Sequence, residues 1–210
     1  MDAENRRAEE ARLRNENRIP PGQALTLKFP VLHVGEVPPF SPENWTFRIW
    51  GAVEEEKTWT WDEFQYLPRR EILMDIHCVT KWSKADTRWA GVSVRDLLKQ
   101  GIIKLKPNVT HVMQHAEYGY TTNLPLDVVL QENFLLATHF DGEPLSPEHG
   151  FPLRGVIGHI PQRAGLASPY FWKGAKWLRS LEFMYADRLG YWERGAYHNR
   201  ADVWNEERFR

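Results

Sequence analysis

Alternating apolar and polar positions predict a series of strands along the middle of the chain. The run Trp45-Thr46-Phe47-Arg48-Ile49-Trp50 has a period of two, which is typical of a strand with one buried face, and Gly51 ends it. Similar patterns predict further strands at 57–60, 71–79, 109–116, 134–140, 152–157 and 177–185. The chain is therefore expected to be rich in β-structure.

Helical signals are short and irregularly spaced. Ser93 is the expected N-cap of a helix over 93–100, with Gly101 beyond its end. A second short helix is predicted over 125–130, with proline at its first position, and a helical turn over 61–67. Because these helices do not alternate regularly with strands, the pattern predicts an α+β fold with a mixed or barrel-like sheet.

The two ends of the sequence differ from its middle. Residues 1–18 mix acids and bases without an apolar face, which predicts a charged N-terminal arm, either a solvated helix or disordered. Residues 19–210 are expected to form one domain, beginning with a proline-rich extended stretch. The loop 158–168 could form a lid or a partner surface, and the aromatic, charged tail from Asp187 is expected to pack over the body.

Composition narrows the class of protein. The 210 residues are 42% hydrophobic and 26% charged, with a net charge of −1 and ten tryptophans. Near-neutral charge predicts no nucleic-acid partner, and any anion must be bound by a local cluster. No window resembles the roughly 20 apolar residues of a membrane span, and the charged start lacks the apolar region of a signal peptide. These features predict a cytoplasmic protein without a membrane span.

Cys78 is the only cysteine, so it cannot form an internal disulfide. Three interpretations follow from the residue alone: an inert buried thiol, a nucleophile, or a metal ligand. His111 and His115 are four apart, but they lie in a strand pattern, and a two-histidine zinc site would need a third protein ligand. The sequence also lacks the glycine-rich nucleotide motifs, a Gly-x-Ser-x-Gly elbow, a Cys-x-x-Cys-His haem motif and iron–sulfur cysteines.

Three ordered segments resemble the molybdopterin-binding domain of the sulfite oxidase family. The first is Asp75-Ile76-His77-Cys78-Val79-Thr80-Lys81-Trp82-Ser83 followed by 88–98, the second is 118–126, and the third runs from 141–145 through 149–154 to 173–177. The resemblance extends over residues 25–185. It implies a single sulfite-oxidase-type domain that binds molybdenum-molybdopterin in its mononucleotide-free form. The motifs that the sequence lacks predict no haem, no flavin and no iron–sulfur cluster.

The resemblance also implies roles for particular residues. Cys78 would give its thiolate to molybdenum, which is consistent with the preference of soft thiolates for redox metals. The residues implied or expected to bind the cofactor are His33, Cys78, His115, His149, Arg154, Lys173, Gly174, Ala175 and Lys176. Local positive charge and a close-approaching backbone at Gly174 are what a terminal phosphate would require.

The residues after Cys78 bear on the substrate. Lys81 and Trp82 are expected beside the metal, and Trp82 with Ser83 resembles the family's bacterial protein-methionine-sulfoxide reductase branch more than its sulfite oxidases. A Trp wall suits a neutral S- or N-oxide, with His115 or Tyr120 as donor to its oxygen, whereas sulfite needs converging cations such as Lys81 and Arg88. The expected activity is oxygen-atom transfer with electrons from a separate protein. Sulfite oxidation and a non-catalytic molybdopterin carrier are the alternatives.

Overall fold

Two mixed β-sheets form the framework of the chain in the computed structural model, which describes residues 3–210 and the side chains from Glu4 onward. The first sheet contains β1 (Ala24–Leu25), β4 (Arg69–His77), β5 (Trp82–Val92), β8 (Phe134–Phe140), β9 (Glu143–Pro144) and β10 (Arg154–Ile157). The second contains β2 (Thr46–Gly51), β3 (Lys57–Thr60), β6 (His111–Ala116), β7 (Thr121–Pro125) and β11 (Leu178–Met184).

One long strand organises each sheet. In the first sheet, β5 pairs antiparallel with β4 and β8 and parallel with the short β1. In the second, β11 pairs parallel with β2 and antiparallel with β6, and β7 adds the edge beyond β6. Mixed pairing without regular helical crossovers confirms the predicted α+β class.

Within residues 3–210, five short α-helices connect or flank the sheets: α1 (Ala3–Asn15), α2 (Trp61–Gln65), α3 (Val94–Lys99), α4 (Leu126–Val129) and α5 (Tyr191–Arg194). The predicted cap of α3 is confirmed, because the Ser93 side chain accepts a hydrogen bond from the Asp96 backbone N–H. Among the described residues no helix is both long and apolar enough to cross a membrane.

Apolar side chains from both sheets form the main core. Phe47, Ile49, Leu136 and Leu181 are fully buried members of it. A second cluster is centred on Trp89 of β5, which is also fully buried. The hairpin of β4 and β5 belongs to this second cluster, so the turn that carries Cys78 is attached to a rigid, packed support.

The sequence pattern misses β5 and β7 as strands. In β5, the buried positions include Ser83 and Thr87, which break the apolar alternation. These hydroxyls are satisfied inside the fold: Ser83 Oγ lies 2.8 Å from His77 Nδ1, and Thr87 Oγ1 donates to the Met74 carbonyl. Buried polar groups with partners are tolerated in a core, but they cannot be recognised from hydropathy.

Helix α1 is charged, as the sequence predicts, yet it is docked on the domain. Leu13 is fully buried against Ile19 and Leu25. A single leucine gives no periodic apolar pattern, so the expectation that this segment lacks an apolar face was wrong at this residue. Beyond the helix, Arg18 forms two hydrogen bonds of 2.8 and 2.7 Å with the fully buried carboxylate of Asp75 on β4.

We predict that Arg18→Met destabilises the fold by about 3–5 kcal/mol, because it leaves the Asp75 carboxylate buried without its cation. Urea denaturation measures the change. Arg12→Met is the matched control, since Arg12 pairs with Glu9 and Glu16 at the surface, and its loss should change stability much less than the loss of Arg18. Equal stabilities of the two variants would contradict the role given to Arg18.

Candidate active site

A cavity of about 270 Å³ lies beside the turn between β4 and β5. Its walls combine one thiol, two cations and many aromatic rings. The lining residues that matter for its chemistry are Cys78, Thr80, Trp82, Tyr120, Arg154, Trp172, Gly174, Lys176, Trp192 and Tyr197. Distant segments of the sequence therefore meet at one site.

The turn of residues 78–81 presents Cys78 to this cavity. The Cys78 N–H donates to the Trp82 carbonyl over 2.8 Å, and the Lys81 N–H donates back to the Cys78 carbonyl over 3.1 Å. Thr80 Oγ1 lies 3.1 Å from the Cys78 sulfur, a contact that sequence analysis missed. The Lys81 side chain is exposed and does not line the cavity, so the structure does not bring this predicted catalytic residue to the site.

Arg154, at the start of β10, is a buried cation without an anionic partner. Its guanidinium donates to the carbonyls of His149 and Gly174 and lies 4.3 Å from the ring centroid of Phe171. Within residues 4–210 no carboxylate forms an ion pair with it. Burial lowers the pKa of Arg154 to about 9. Such a charge favours an anion in the cavity, because a buried ion is costly until it is paired.

Lys176 places a second cation at the cavity. Its Nζ donates to the carbonyls of Leu32 and Glu148 over 2.8 and 2.6 Å. Burial, followed by repulsion from Arg154, lowers the pKa of Lys176 to about 7, and the nearby Cys78 opposes that shift. An anion between the two cations would restore the charge of Lys176.

The backbone that carries Lys176 is fixed by Gln114 of β6. Its fully buried amide donates to the Lys173 carbonyl over 2.6 Å and accepts from the Ala175 N–H over 3.1 Å. Position 174 requires glycine, because a Cβ there would lie only 2.3 Å from the Gly155 carbonyl oxygen. Sequence analysis missed Gln114, which stands in a strand pattern without any motif of its own.

His149 lies behind the cavity wall. Its ring stacks on Phe29 with a centroid distance of 3.8 Å, and its Nδ1 is buried without a hydrogen-bond partner among the described residues. Burial, with Lys176 and Arg154 nearby, lowers the pKa of His149 to about 4, so the ring is neutral. His149 therefore contributes an uncharged, packed ring next to Arg154 and Lys176.

Other predicted cofactor residues lie at or outside the edge of the cavity. His33 is on its exposed rim, where Nδ1 lies 2.9 Å from the Gly35 carbonyl oxygen. His115 does not line the cavity, and its Nε2 lies 2.8 Å from a Glu182 carboxylate oxygen. Ala175 is fully buried and contributes its backbone to the Gln114 contact.

Lys173 points away from the cavity into the protein. Its Nζ lies 2.7 Å from Glu193, and both side chains are almost completely buried. Asn123 accepts a further hydrogen bond from the same Nζ over 2.8 Å. The pair joins α5 to the turn of residues 171–173, and Asn123 links both to β7, so the structure gives Lys173 a stabilising contact and does not bring it to the cavity.

Aromatic side chains form the remaining wall. Trp82 lines the cavity as predicted, and its indole N–H is buried without a partner among the described residues. Tyr120 also lines the cavity, but its hydroxyl donates to the Trp172 carbonyl over 2.9 Å. Trp192 and Tyr197 come from the C-terminal tail, where sequence analysis expected only a packed segment. No residue of the 158–168 loop is among the lining residues.

The comparisons with known proteins agree on the family. Residues 34–192 match the family described as Oxidoreductase molybdopterin binding domain. The chain belongs to this family of molybdopterin-binding oxidoreductases. It is 45% identical over 193 residues to "Uncharacterized oxidoreductase YuiH" of Bacillus subtilis, with 91% of this chain and 92% of that protein covered.

More distant proteins show how widely this domain is used. The "Protein-methionine-sulfoxide reductase catalytic subunit MsrP" of Campylobacter jejuni is 24% identical over 169 residues, which cover 73% of this chain and 54% of that protein. The crystal structure of the sulfane dehydrogenase SoxCD from Paracoccus pantotrophus aligns with a TM-score of 0.62 at 19% identity, covering 74% of this chain and 42% of that one. The latter similarity confirms the sulfite-oxidase-type fold.

The cavity fits the cofactor that the family binds. A soft sulfur ligand at Cys78 suits a redox metal, and the cations of Arg154 and Lys176 suit an anionic group such as a phosphate. Molybdopterin combines these two requirements. The described residues contain no group of three or more His, Cys, Asp and Glu side chains placed to hold a metal.

We predict opposite consequences for two lysines that are only three positions apart. Lys176→Met removes a charge at the cavity, so purified protein should retain less molybdenum and pterin while its unfolding transition changes little. Lys173→Met leaves Glu193 buried without its cation, which should cost about 3–5 kcal/mol of stability. Metal and pterin analysis with urea denaturation of both variants tests the assignment. Loss of cofactor from a fully stable Lys173→Met protein would contradict it.

Proposed function

We propose that this oxidoreductase binds molybdenum-molybdopterin through Cys78 and reduces neutral S- or N-oxides. The observation that carries the choice of substrate is a pair of unpartnered, buried indole N–H groups, those of Trp82 and Trp172, in residues that line the same cavity as Cys78. A buried donor without an acceptor is costly, and an oxide oxygen bound there would satisfy it. These unmet hydrogen bonds support a neutral substrate that carries an acceptor oxygen.

The proposed cofactor contacts come from this chain's own charges. The Cys78 thiolate is the metal ligand, and Arg154 with Lys176 binds the terminal phosphate of the mononucleotide-free form. His149 and the backbone at Gly174 support these cations from behind. When bound, the cofactor supplies two-electron redox chemistry and oxygen-atom exchange. Gln114 keeps the loop with Lys176 in place, so that the anion meets a preorganised site.

Aromatic rings control the rest of the cavity. Trp82, Trp172 and Tyr197 exclude water from the sulfur of Cys78 and leave room for an apolar substituent of the substrate. Tyr120 is not a free donor, because its hydroxyl is already bonded to the Trp172 carbonyl, and burial raises its pKa well above 10. In this proposal the N–H of Trp82, which follows Cys78 closely in the sequence, orients the substrate oxygen, and neither His115 nor Tyr120 takes that role.

Charge argues against sulfite as the preferred substrate. A dianion needs several converging cations, yet the Lys81 side chain is exposed and Arg88 lies 3.6 Å from Glu71 at the surface. Arg154 and Lys176 do line the cavity, and they are the one observation that favours sulfite oxidation as a second candidate. In this proposal they are neutralised by the cofactor phosphate.

The electrons are proposed to come from a separate protein. The sequence has one cysteine and no haem or flavin motif that could supply them from within this chain. A cytoplasmic location remains part of the proposal. Because the family members are oxidoreductases, enzymatic turnover is favoured over the alternative of a molybdopterin carrier.

We predict that Cys78→Ser lowers turnover by orders of magnitude while the fold persists and part of the pterin is retained. A hydroxyl is a hard, weakly acidic ligand that binds a soft redox metal poorly. Activity with an artificial electron donor and the visible spectrum of the metal centre measure the effect. Wild-type turnover with an unchanged spectrum would show that Cys78 is not the ligand.

We predict that the reduced wild-type protein reduces dimethyl sulfoxide, methionine sulfoxide or a small N-oxide, with sulfite oxidation slow or absent. Trp82→Phe keeps an aromatic wall but removes the N–H, so kcat/KM for the oxide should fall by about 2- to 10-fold, the equivalent of one hydrogen bond of ~0.5–1.5 kcal/mol. Steady-state assays with a reduced donor, and with an acceptor plus sulfite, test this. Efficient sulfite oxidation without oxide reduction would promote the second candidate.

A further inference from the structure

The turn that carries Cys78 is held by two segments that are far from it in sequence. One is residues 22–24, which include the start of β1, and the other is the last part of the C-terminal tail, residues 201–208. We propose that Gln23 and Arg208, acting from outside the cavity, are positioning residues that fix the Cys78 sulfur for its metal. This inference rests on the proposed function, in which Cys78 is the metal ligand.

Gln23 binds the backbone of Cys78 itself. Its side chain is buried, and its Nε2 donates to the Cys78 carbonyl over 3.1 Å. The next residue continues the contact, because the Ala24 N–H donates to the Lys81 carbonyl over 3.0 Å. Residues 24 and 25 then pair in parallel with Trp82 and Ser83, so this segment follows the turn and the start of β5.

Arg208 binds the next carbonyl of the same turn. Its Nη1 donates to the Val79 carbonyl over 2.7 Å, and its Nη2 lies 3.5 Å from the Gly22 carbonyl oxygen. The guanidinium also lies 4.8 Å from the ring centroid of Tyr170. One planar fork therefore joins the tail, the Cys78 turn and the segment that contains Gln23, a geometry that lysine cannot reproduce.

The tail that supplies Arg208 is itself anchored. The Tyr170 N–H donates to the Ala201 carbonyl over 2.8 Å, and the Val203 N–H donates to the Ser168 carbonyl over 3.0 Å. Ala201 and Val203 are fully buried against Tyr170. Arg208 is thus presented to the turn by a packed support, as a positioning group requires.

These contacts reach three of the four carbonyls of the turn of residues 78–81. Within the turn itself, the main hydrogen bonds are the two that link Cys78 with Trp82 and Lys81. The carbonyls of Cys78, Val79 and Lys81 are each bound by Gln23, Arg208 or Ala24. Neither Gln23 nor Arg208 lines the cavity, so any effect on the metal must pass through the turn, whose residues Cys78, Val79 and Thr80 line it. Groups behind a metal ligand typically change metal affinity or activity by about 10- to 100-fold.

The two segments lie outside the part of the chain that matches the family, which runs from residue 34 to residue 192. The shared domain therefore supplies Cys78, while residues beyond it hold the turn in place.

The test compares Arg208→Met, Arg208→Lys and Gln23→Met with the control Arg200→Met. Arg200 lies in the same tail, is largely exposed and pairs with Glu207, so its replacement removes the same charge without touching the turn. Because Cys78 is the only cysteine, the rate of thiol alkylation in cofactor-free full-length protein reports on this turn alone. Holoprotein is assayed for molybdenum retention during dialysis and for the reduction potential and visible spectrum of the metal.

Arg208→Met and Gln23→Met are expected to accelerate Cys78 alkylation, to lower molybdenum retention by about 10- to 100-fold, and to shift the potential and spectrum. In turnover, kcat should fall with KM for the oxide nearly unchanged. Arg208→Lys should recover only part of the loss, and Arg200→Met should match wild type. If Arg208→Met does not fold, the alkylation rate, molybdenum retention and spectrum of Gln23→Met and Arg208→Lys test the proposal in its place.

The proposal is overturned if the variants change only the unfolding temperature, with alkylation, retention and spectrum as in wild type. Failure of the proposed function has a different signature: wild-type protein would hold no molybdenum that depends on Cys78. The alkylation rates of cofactor-free protein would still show, in that case, whether Gln23 and Arg208 fix the turn.

Discussion

A buried guanidinium without an anion is the constraint around which this cavity is built. Arg154 is enclosed by carbonyl oxygens and aromatic rings, and burial lowers its pKa to about 9. Lys176 adds a second partly desolvated charge, and its pKa falls to about 7. Dipoles of carbonyl groups reduce the cost of these charges but do not cancel it. The site is therefore most stable when an anion occupies it.

The rest of the domain keeps that unfavourable charge in place. Gln114 ties the loop of Lys176 to β6, and Glu193 of α5 is bound both by its buried partner Lys173 and by Thr122 and Asn123 of β7. On the other side, the hairpin of β4 and β5 brings Cys78 to the same cavity, supported by the ion pair of Arg18 with Asp75. Cys78 follows β4 and Arg154 begins β10, far apart in the sequence, so only the complete fold brings the thiol and the guanidinium to one cavity.

The sequence predicts the parts of this arrangement that depend on local pattern or on motif order. Regular alternation identifies β2, Ser93 identifies the start of α3, and the ordered segments around Cys78, Arg154 and Lys176 indicate the family. Long-range polar contacts leave no such trace. Strand β5 could not be predicted from hydropathy, because two of its buried positions are Ser83 and Thr87, whose hydroxyls find hydrogen-bond partners inside the fold. The burial of Lys173 could not be predicted either, because it depends on Glu193, twenty positions away. Trp192 and Tyr197 reach the cavity only because the tail folds back.

The central claim is that Cys78, Arg154 and Lys176 together form a site for molybdenum-molybdopterin. The most direct test is the molybdenum and pterin content of the purified wild-type protein, expressed in a host that makes the cofactor. The account predicts one molybdenum and one pterin for each chain. Protein that is correctly folded but contains neither, under conditions in which a related molybdopterin enzyme is fully loaded, would contradict it.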